Sequence, residues 1–192
     1  MTMKAARENI LRYTFPAVAL LSFAAPLAAS GQAQAQAQTQ AQTQAQTQAP
    51  LSAEEARFIE FGKEIFKSKA VCQYCHKWDA SGDQGYGGNA LSLRATQLTP
   101  EEMTEVVKCG RPATGMPYHD RFAYTDKRCY GYTREQMGND MPPAGNDFLS
   151  AREVDAVVKY LFAKDVGRGA ATYEDCVAFW GTETRQCEPM KK

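Results

Sequence analysis

The sequence predicts an all-α fold for the chain beyond Leu51: a small helical domain with long loops that enclose a ligand. Three observations predict it. At each of five expected helix starts a Ser or Thr stands three residues before Glu, Gln or Asp, the capping-box signature that opens a helix. Behind several of these starts, apolar residues recur at i, i+3, i+4 and i+7. Between the helices lie two long stretches, residues 77–98 and 110–132, rich in Gly, Asn, Asp and Tyr. Loops of that length in a compact domain usually wrap something or do something. Strand signals are weak throughout.

Residues 1–30 read as an address. Lys4, Arg7 and Arg12 precede an apolar stretch from Tyr13 to Ala29, which ends in the small residues Ala28, Ala29 and Ser30. That order is a secretory signal peptide, with cleavage expected between Ala28 and Ala35. Pro16 and Pro26 interrupt the stretch and argue against an uncleaved membrane anchor. Residues 31–50 carry an Ala-Gln and Thr-Gln repeat with no aromatic residue and no aliphatic larger than Ala. Such a segment cannot offset the entropy of ordering itself, so it reads as a disordered tether. The expected location is the periplasm. No uninterrupted apolar run of about 18 residues predicts a transmembrane span after cleavage.

The helices follow in order. Ser52 and Glu55 open the first, running to about Lys69, with Phe58, Phe61, Gly62, Ile65 and Phe66 on one face. Thr99, Pro100 and Glu102 open the second, and Gly110 stands where its C-terminal cap belongs. Thr133 and Gln136 predict a short turn of helix. Ser150 and Glu153 open the clearest helix, whose stripe is Val154, Val157, Val158, Leu161 and Phe162. Thr172 and Asp175 predict a last short helix before the tail.

The chemistry sits between the first two helices, in Cys72-Gln73-Tyr74-Cys75-His76. C-x-x-C-H is the attachment site of c-type haem. Two thiols one helical turn apart can add to two vinyl groups on one porphyrin edge, and the next residue brings its imidazole beneath the iron. A thioredoxin-type dithiol would sit in a βαβ pattern, which is missing, and zinc would want a second ligand pair, also missing. The expected cofactor is one haem c, with its iron, held through Cys72, Cys75 and His76.

Around this motif the chain resembles the class I (mitochondrial-type) c-type cytochromes, from about Ser52 to Lys164. The resemblance rests on Gly62 and Phe66 in the first helix, the Cys72–His76 pentapeptide, and a loop with Gly82, Gly85, Gly87 and Gly88. It extends to the Thr99–Gly110 helix, two Met-Pro sequences and a final helix ending in Tyr160-Leu161. It implies a cytochrome c-like helical domain over residues 51–166, wrapped around one haem, with residues 167–192 as a C-terminal extension. It also implies that the first and last helices cross closely at Gly62. One feature departs from the pattern: Asn89 stands near the place of the loop proline whose carbonyl orients the haem histidine. A thioether as sixth ligand suits electron transfer. Met116, in Gly110-Arg111-Pro112-Ala113-Thr114-Gly115-Met116-Pro117, resembles the family's ligand loop. Met141, before Pro142-Pro143, has the ligand's usual spacing to the final helix. Met116 is preferred, Met141 is the competitor and His119 an outside candidate. Arg94 and Arg111 are candidates to pair with haem propionates.

Four cysteines remain, and export makes disulfides the default. Cys109–Cys129 would staple the inserted loop to the end of its helix, and Cys176–Cys187 would close the tail. Residues 1–50 hold Lys4, Arg7 and Arg12 against Glu8, so of 22 basic and 22 acidic residues the rest holds 19 and 21. This near-neutral body lacks the basic footprint of a nucleic-acid binder. Lys63, Lys67, Lys69 and Lys77 cluster around the motif and could steer an acidic redox partner. The expected function is single-electron transfer between an exported dehydrogenase or membrane redox complex and an acceptor, with no catalytic constellation besides the haem. The rivals are a haem subunit of a dehydrogenase complex, docking through the aromatic loop Phe122–Tyr132, and a small-molecule-reactive haem near His119, Asp120 and Arg121.

Overall fold

Helix α1, Ala53–Glu64, starts where Ser52 Oγ accepts from the Glu55 amide while the Glu55 carboxylate accepts from the Ser52 amide. The computed structural model describes residues 51–181 and 184–191. The signal peptide and tether expected over residues 1–50 lie outside the described residues. The sequence predicts one helix to Lys69, but the last five residues, Ile65–Lys69, wind as a π-helix, closed by the Ala70 amide on Ile65 O at 2.9 Å. This wider turn buries both Ile65 and Phe66. Single-turn π segments are often found at functional sites, and this one ends immediately before the Cys72 motif.

A one-turn helix α2, Gln73–His76, carries the motif and is flanked by left-handed residues, Val71 (φ 47°) and Lys77 (φ 61°). The first long loop then contains a hairpin that the sequence did not announce. Strands β1, Asp83–Gly85, and β2, Gly88–Ala90, pair antiparallel with Gln84 opposite Asn89. Strands this short show no period-2 pattern to read. Helix α3, Pro100–Cys109, has its Thr99–Glu102 capping box and ends at Gly110 (φ 66°). The short α4, Arg134–Met137, and the long α5, Ala151–Lys164, begin at the expected Thr133 and Ser150 boxes. Helix α6, Tyr173–Trp180, begins at Thr172 and Asp175.

Two apolar clusters hold these elements. The main one joins Ile59, Ile65 and Phe66 to Val154, Val157, Tyr160 and Leu161 of α5, and it includes Phe179 of α6. Helices α1 and α5 meet at Gly62, where an added Cβ would lie 2.0 Å from the Ala156 carbonyl oxygen. No side chain fits there, so the close crossing depends on glycine. The second cluster is built by the loop after α3: Cys109, Tyr118, Ala123, Tyr124, Cys129 and Met137, with Tyr130 and Met141 packed against it. Cys109–Cys129 closes this loop, with Cα atoms 5.4 Å apart, and Cys176–Cys187 closes the tail at 5.7 Å. Both pairings are those the sequence predicts.

The C-terminal extension packs into the main core. Phe179 meets Phe66 edge-on at 6.3 Å and Trp78 at 6.0 Å. Lys63 Nζ donates to Ala178 O at 3.1 Å and Lys67 Nζ to Phe179 O at 3.4 Å, which satisfies carbonyls at the end of α6. Among the described residues, no helix is long and apolar enough to cross a membrane.

Candidate functional site

Cys72, Cys75 and His76 share the single turn of α2, in which the His76 amide donates to Cys72 O at 2.9 Å and the Cys75 amide to the same oxygen at 3.2 Å. Two cysteines three apart in such a turn project toward one side. Cys72 and Cys75 are half-buried and unpaired, whereas the other four cysteines form the two disulfides. Burial pushes the Cys72 thiol up to about 12, so it stays protonated and does not behave as a reactive thiolate.

His76 Nδ1 lies 3.0 Å from the Leu91 carbonyl oxygen. A carbonyl only accepts, so Nδ1 carries the proton and the Nε2 lone pair is left for a metal. Burial holds the imidazole below its ordinary value; the Leu91 bond opposes that shift, and the Arg111 guanidinium reinforces it. The ring is therefore neutral at neutral pH, as a ligand must be. The sequence leaves the holder of this proton open because the expected proline is missing. Leu91, immediately after β2, supplies the carbonyl instead. Gly82 makes this possible: at φ 73°, an added Cβ would lie 2.6 Å from Ala90 O, Leu91 C and Ser92 N. The Gly82 amide in turn donates to His76 O at 3.0 Å.

The loop after α3 carries Arg111, whose charge acts on the His76 imidazole. It folds on itself: the Arg111 amide donates to Met116 O at 3.2 Å, Thr114 Oγ1 to Arg111 O at 2.8 Å, and the Met116 amide to Thr114 Oγ1 at 3.2 Å. It is also zipped to the segment that holds Met141, through Ala113 N to Asp140 O at 2.8 Å and Tyr118 N to Pro143 O at 3.0 Å. The two candidate methionines thus lie on adjacent strips of backbone. Met141 packs against the second cluster, while Met116 is half-buried and belongs to neither cluster. Two hydroxyls that the sequence reading passed over anchor the start of the loop. Tyr124 Oη donates to Cys109 O at 2.8 Å and Tyr130 Oη to Gly110 O at 2.7 Å. Their only signal in the sequence was the density of tyrosine.

His119 has a different place. It is buried, with Nδ1 2.9 Å from Asp147 O, its amide on the Val107 and Lys108 carbonyls, and its carbonyl accepting from Leu149 N. It stitches the end of α3 to the approach of α5. Its neighbours are engaged too: Asp120 pairs with Arg128 at 3.5 Å, and Arg121 lies over the Phe148 ring.

Arg94, a candidate for a propionate, is buried against Asp165. Its Nη1 bonds Asp165 Oδ1 at 2.8 Å and Asp79 O at 3.0 Å, and its Nε donates to Gly169 O. Only Nη2 is buried without a partner among the described residues, so most of the guanidinium is engaged within the fold, by Asp79 O, Asp165 and, in the extension, Gly169 O. The basic rim is likewise mostly engaged. Lys63 pairs with Glu60 and Ala178 O, Lys67 with Phe179 O and the Trp180 ring, and Lys69 with Glu153.

These residues fit a covalently attached haem: two free thiols one turn apart and an imidazole with fixed Nδ1 and available Nε2. Residues 58–131 match the family model described as cytochrome C oxidase, cbb3-type, subunit III. No curated protein and no solved structure matches the chain. With the motif, the helical fold and the family match in agreement, the chain contains a c-type cytochrome domain, whose cofactor is a covalently bound haem c with its iron.

Proposed function

We propose that the protein is an exported monohaem cytochrome that carries single electrons between an exported dehydrogenase or membrane redox complex and an acceptor, without catalysing a reaction of its own. Haem c, when bound, supplies a one-electron iron couple. In this reading Cys72 and Cys75 would form the thioethers, and His76 Nε2 and Met116 Sδ would be the protein's ligands to the iron. The observation that carries it is the His76 imidazole, neutral and locked by Leu91 O at 3.0 Å, with its Nε2 free, one residue after two unpaired cysteines. Electron transfer asks for a ligand set that does not move between oxidation states, and the His76 imidazole and the Met116 loop are each held by hydrogen bonds. Periplasmic location rests on the signal-like N-terminus and on two disulfides, which form in oxidising compartments.

Met116 is favoured over Met141 for two reasons. The family match includes position 116 and stops before 141, and Met141 already packs in the second cluster. Met116→Ala should abolish the far-red sulfur–iron band of the oxidised protein and open the iron to carbon monoxide. A band that survives in Met116→Ala and disappears in Met141→Ala assigns the ligand to Met141. A wild-type protein that binds carbon monoxide readily overturns the shuttle in favour of a reactive haem. A second reading, a haem subunit docked in a dehydrogenase complex, is favoured by Phe122 and Tyr132, which stand 55% and 50% exposed on the stapled loop.

A further inference from the structure

The three glycines of the β1–β2 hairpin, Gly85, Gly87 and Gly88, stand in different relations to the haem motif. At Gly85 an added Cβ would meet backbone, the Tyr74 and Cys75 carbonyl oxygens at 2.5 and 2.7 Å. At Gly88 it would meet nothing within 4 Å, and glycine is required there by φ 121°. At Gly87 the backbone is one that other residues adopt. An added Cβ there would lie 2.5 Å from Cys75 Sγ, with the next atoms, Tyr74 C and Cys75 N, at ordinary contact distances of 3.5 and 3.6 Å. The sulfur is therefore the single obstacle. The Gly87 amide also donates to Tyr74 O at 2.9 Å, so residue 87 cannot back away without losing that bond.

We propose that Gly87 is a positioning residue for the second thioether: its missing side chain leaves the space in which the Cys75 sulfur meets its vinyl group. A Cβ at 2.5 Å cannot coexist with sulfur, and cysteine has one side-chain torsion, so relief means rotation to another staggered well. That rotation carries Sγ away from where it now points. In the addition, the Cys75 S–H bond breaks, an S–C bond forms to the vinyl carbon next to the porphyrin ring, and the proton ends on the terminal carbon. The C=C bond becomes single, and no oxidant or reductant is consumed. No described glycine crowds the sulfur of Cys72, which packs against the main core. Gly87 thus acts on one of the two bonds.

The test uses the full chain matured in a periplasm with haem-attachment machinery. Gly87→Ala should yield haem held through Cys72 alone. The reduced pyridine haemochrome band then moves to longer wavelength, because one vinyl group remains, and alkylation with mass mapping finds a free Cys75 thiol. Gly88→Ala strains the backbone without touching the sulfur and should keep both thioethers. A wild-type haemochrome and no alkylatable thiol in Gly87→Ala overturn the proposal, as does the same single-thioether product from Gly88→Ala. If Gly87→Ala accumulates no haem protein, the comparison is Gly87→Ala with Cys75→Ala against Cys75→Ala alone. Removing the sulfur should rescue the double variant to the level of the single one, and failure to rescue overturns the proposal. The inference rests on Cys72 and Cys75 as attachment residues. The wild-type haemochrome tests that assignment separately, since a two-thioether band must be present before any variant is read.

Discussion

The imidazole of His76 takes its orientation from a carbonyl that only a glycine can bring into place. With Gly82 at φ 73° and no room for a Cβ against residues 90–92, Gly82→Ala should push the Leu91 carbonyl away from Nδ1. With His76 as the proposed ligand, the Nδ1–H bond would strengthen its donation to the iron, so weakening that bond would favour the reduced state. We expect the midpoint potential to rise by ~1 kcal/mol, roughly 40 mV for one electron, measured by spectroelectrochemistry on the holoprotein. An unchanged or lower potential would show that Leu91 O does not tune the ligand. At this scale the sequence was informative wherever chemistry dictates spacing. Cys72, Cys75 and His76 stand at the spacing that covalent haem attachment requires, and the structure gathers them on one turn. It was silent wherever a backbone atom does the work. Leu91 O carries no residue-type signature, and Tyr124 and Tyr130 act through hydroxyls whose targets only the folded loop reveals.

Element starts were legible because capping is local. Each of the five capping boxes is formed, from Ser52 with Glu55 to Thr172 with Asp175. The π-helical end of α1 and the three-residue strands were not legible, since both depend on what packs against them. The extension was legible as a short helix but not as part of the core, because Phe179 meets Phe66 across more than a hundred residues of chain. Its attachment also carries a titration. Asp165, buried beside Arg94 and facing Asp79, Asp175, Lys164 and Tyr160, is pushed up to about 6 from an ordinary 3.8. Burial is the main cause; the Arg94 charge opposes it, and Oδ2 has no hydrogen-bond partner among the described residues. The folded state therefore holds the proton more tightly than the unfolded one. Stability from this group is fully present below about 4 and is lost as pH rises to about 6, by up to ~3 kcal/mol. Glu153 works the other way: its pKa is lowered first by Lys69, so its contribution is lost as pH falls. The useful quantity is thus a difference. Urea unfolding of wild type and Asp165→Asn between pH 4 and 7 should show that only the wild type loses stability through this group. Parallel curves would exclude the titration.

On the scale of the whole molecule, charge decides how partners arrive. The sequence alone suggests a basic rim at the motif, but three of its four lysines are engaged by the fold: Lys63 and Lys67 with the end of α6, and Lys69 with Glu153. Residues 51–192 hold 19 basic and 21 acidic side chains with the signs interspersed, and the two haem propionates add negative charge. Beside the motif stand apolar and aromatic side chains instead: Tyr74 is 53% exposed, Leu91 73%, and Tyr86 at the hairpin tip fully exposed. A surface of this kind meets its partner by contact and desolvation, with little long-range attraction. Steered association changes by 10-fold or more with ionic strength, because exposed charges are screened beyond roughly 10 Å at 0.1 M salt. We therefore expect stopped-flow oxidation of the reduced holoprotein by an anionic and by a cationic inorganic complex to differ little. Each rate should change by less than about threefold between low and high salt. A basic rim would instead accelerate the anionic reagent alone and lose that advantage as salt is added. That result would mean that Lys63, Lys67 and Lys69 present their charge outward despite their partners in the fold.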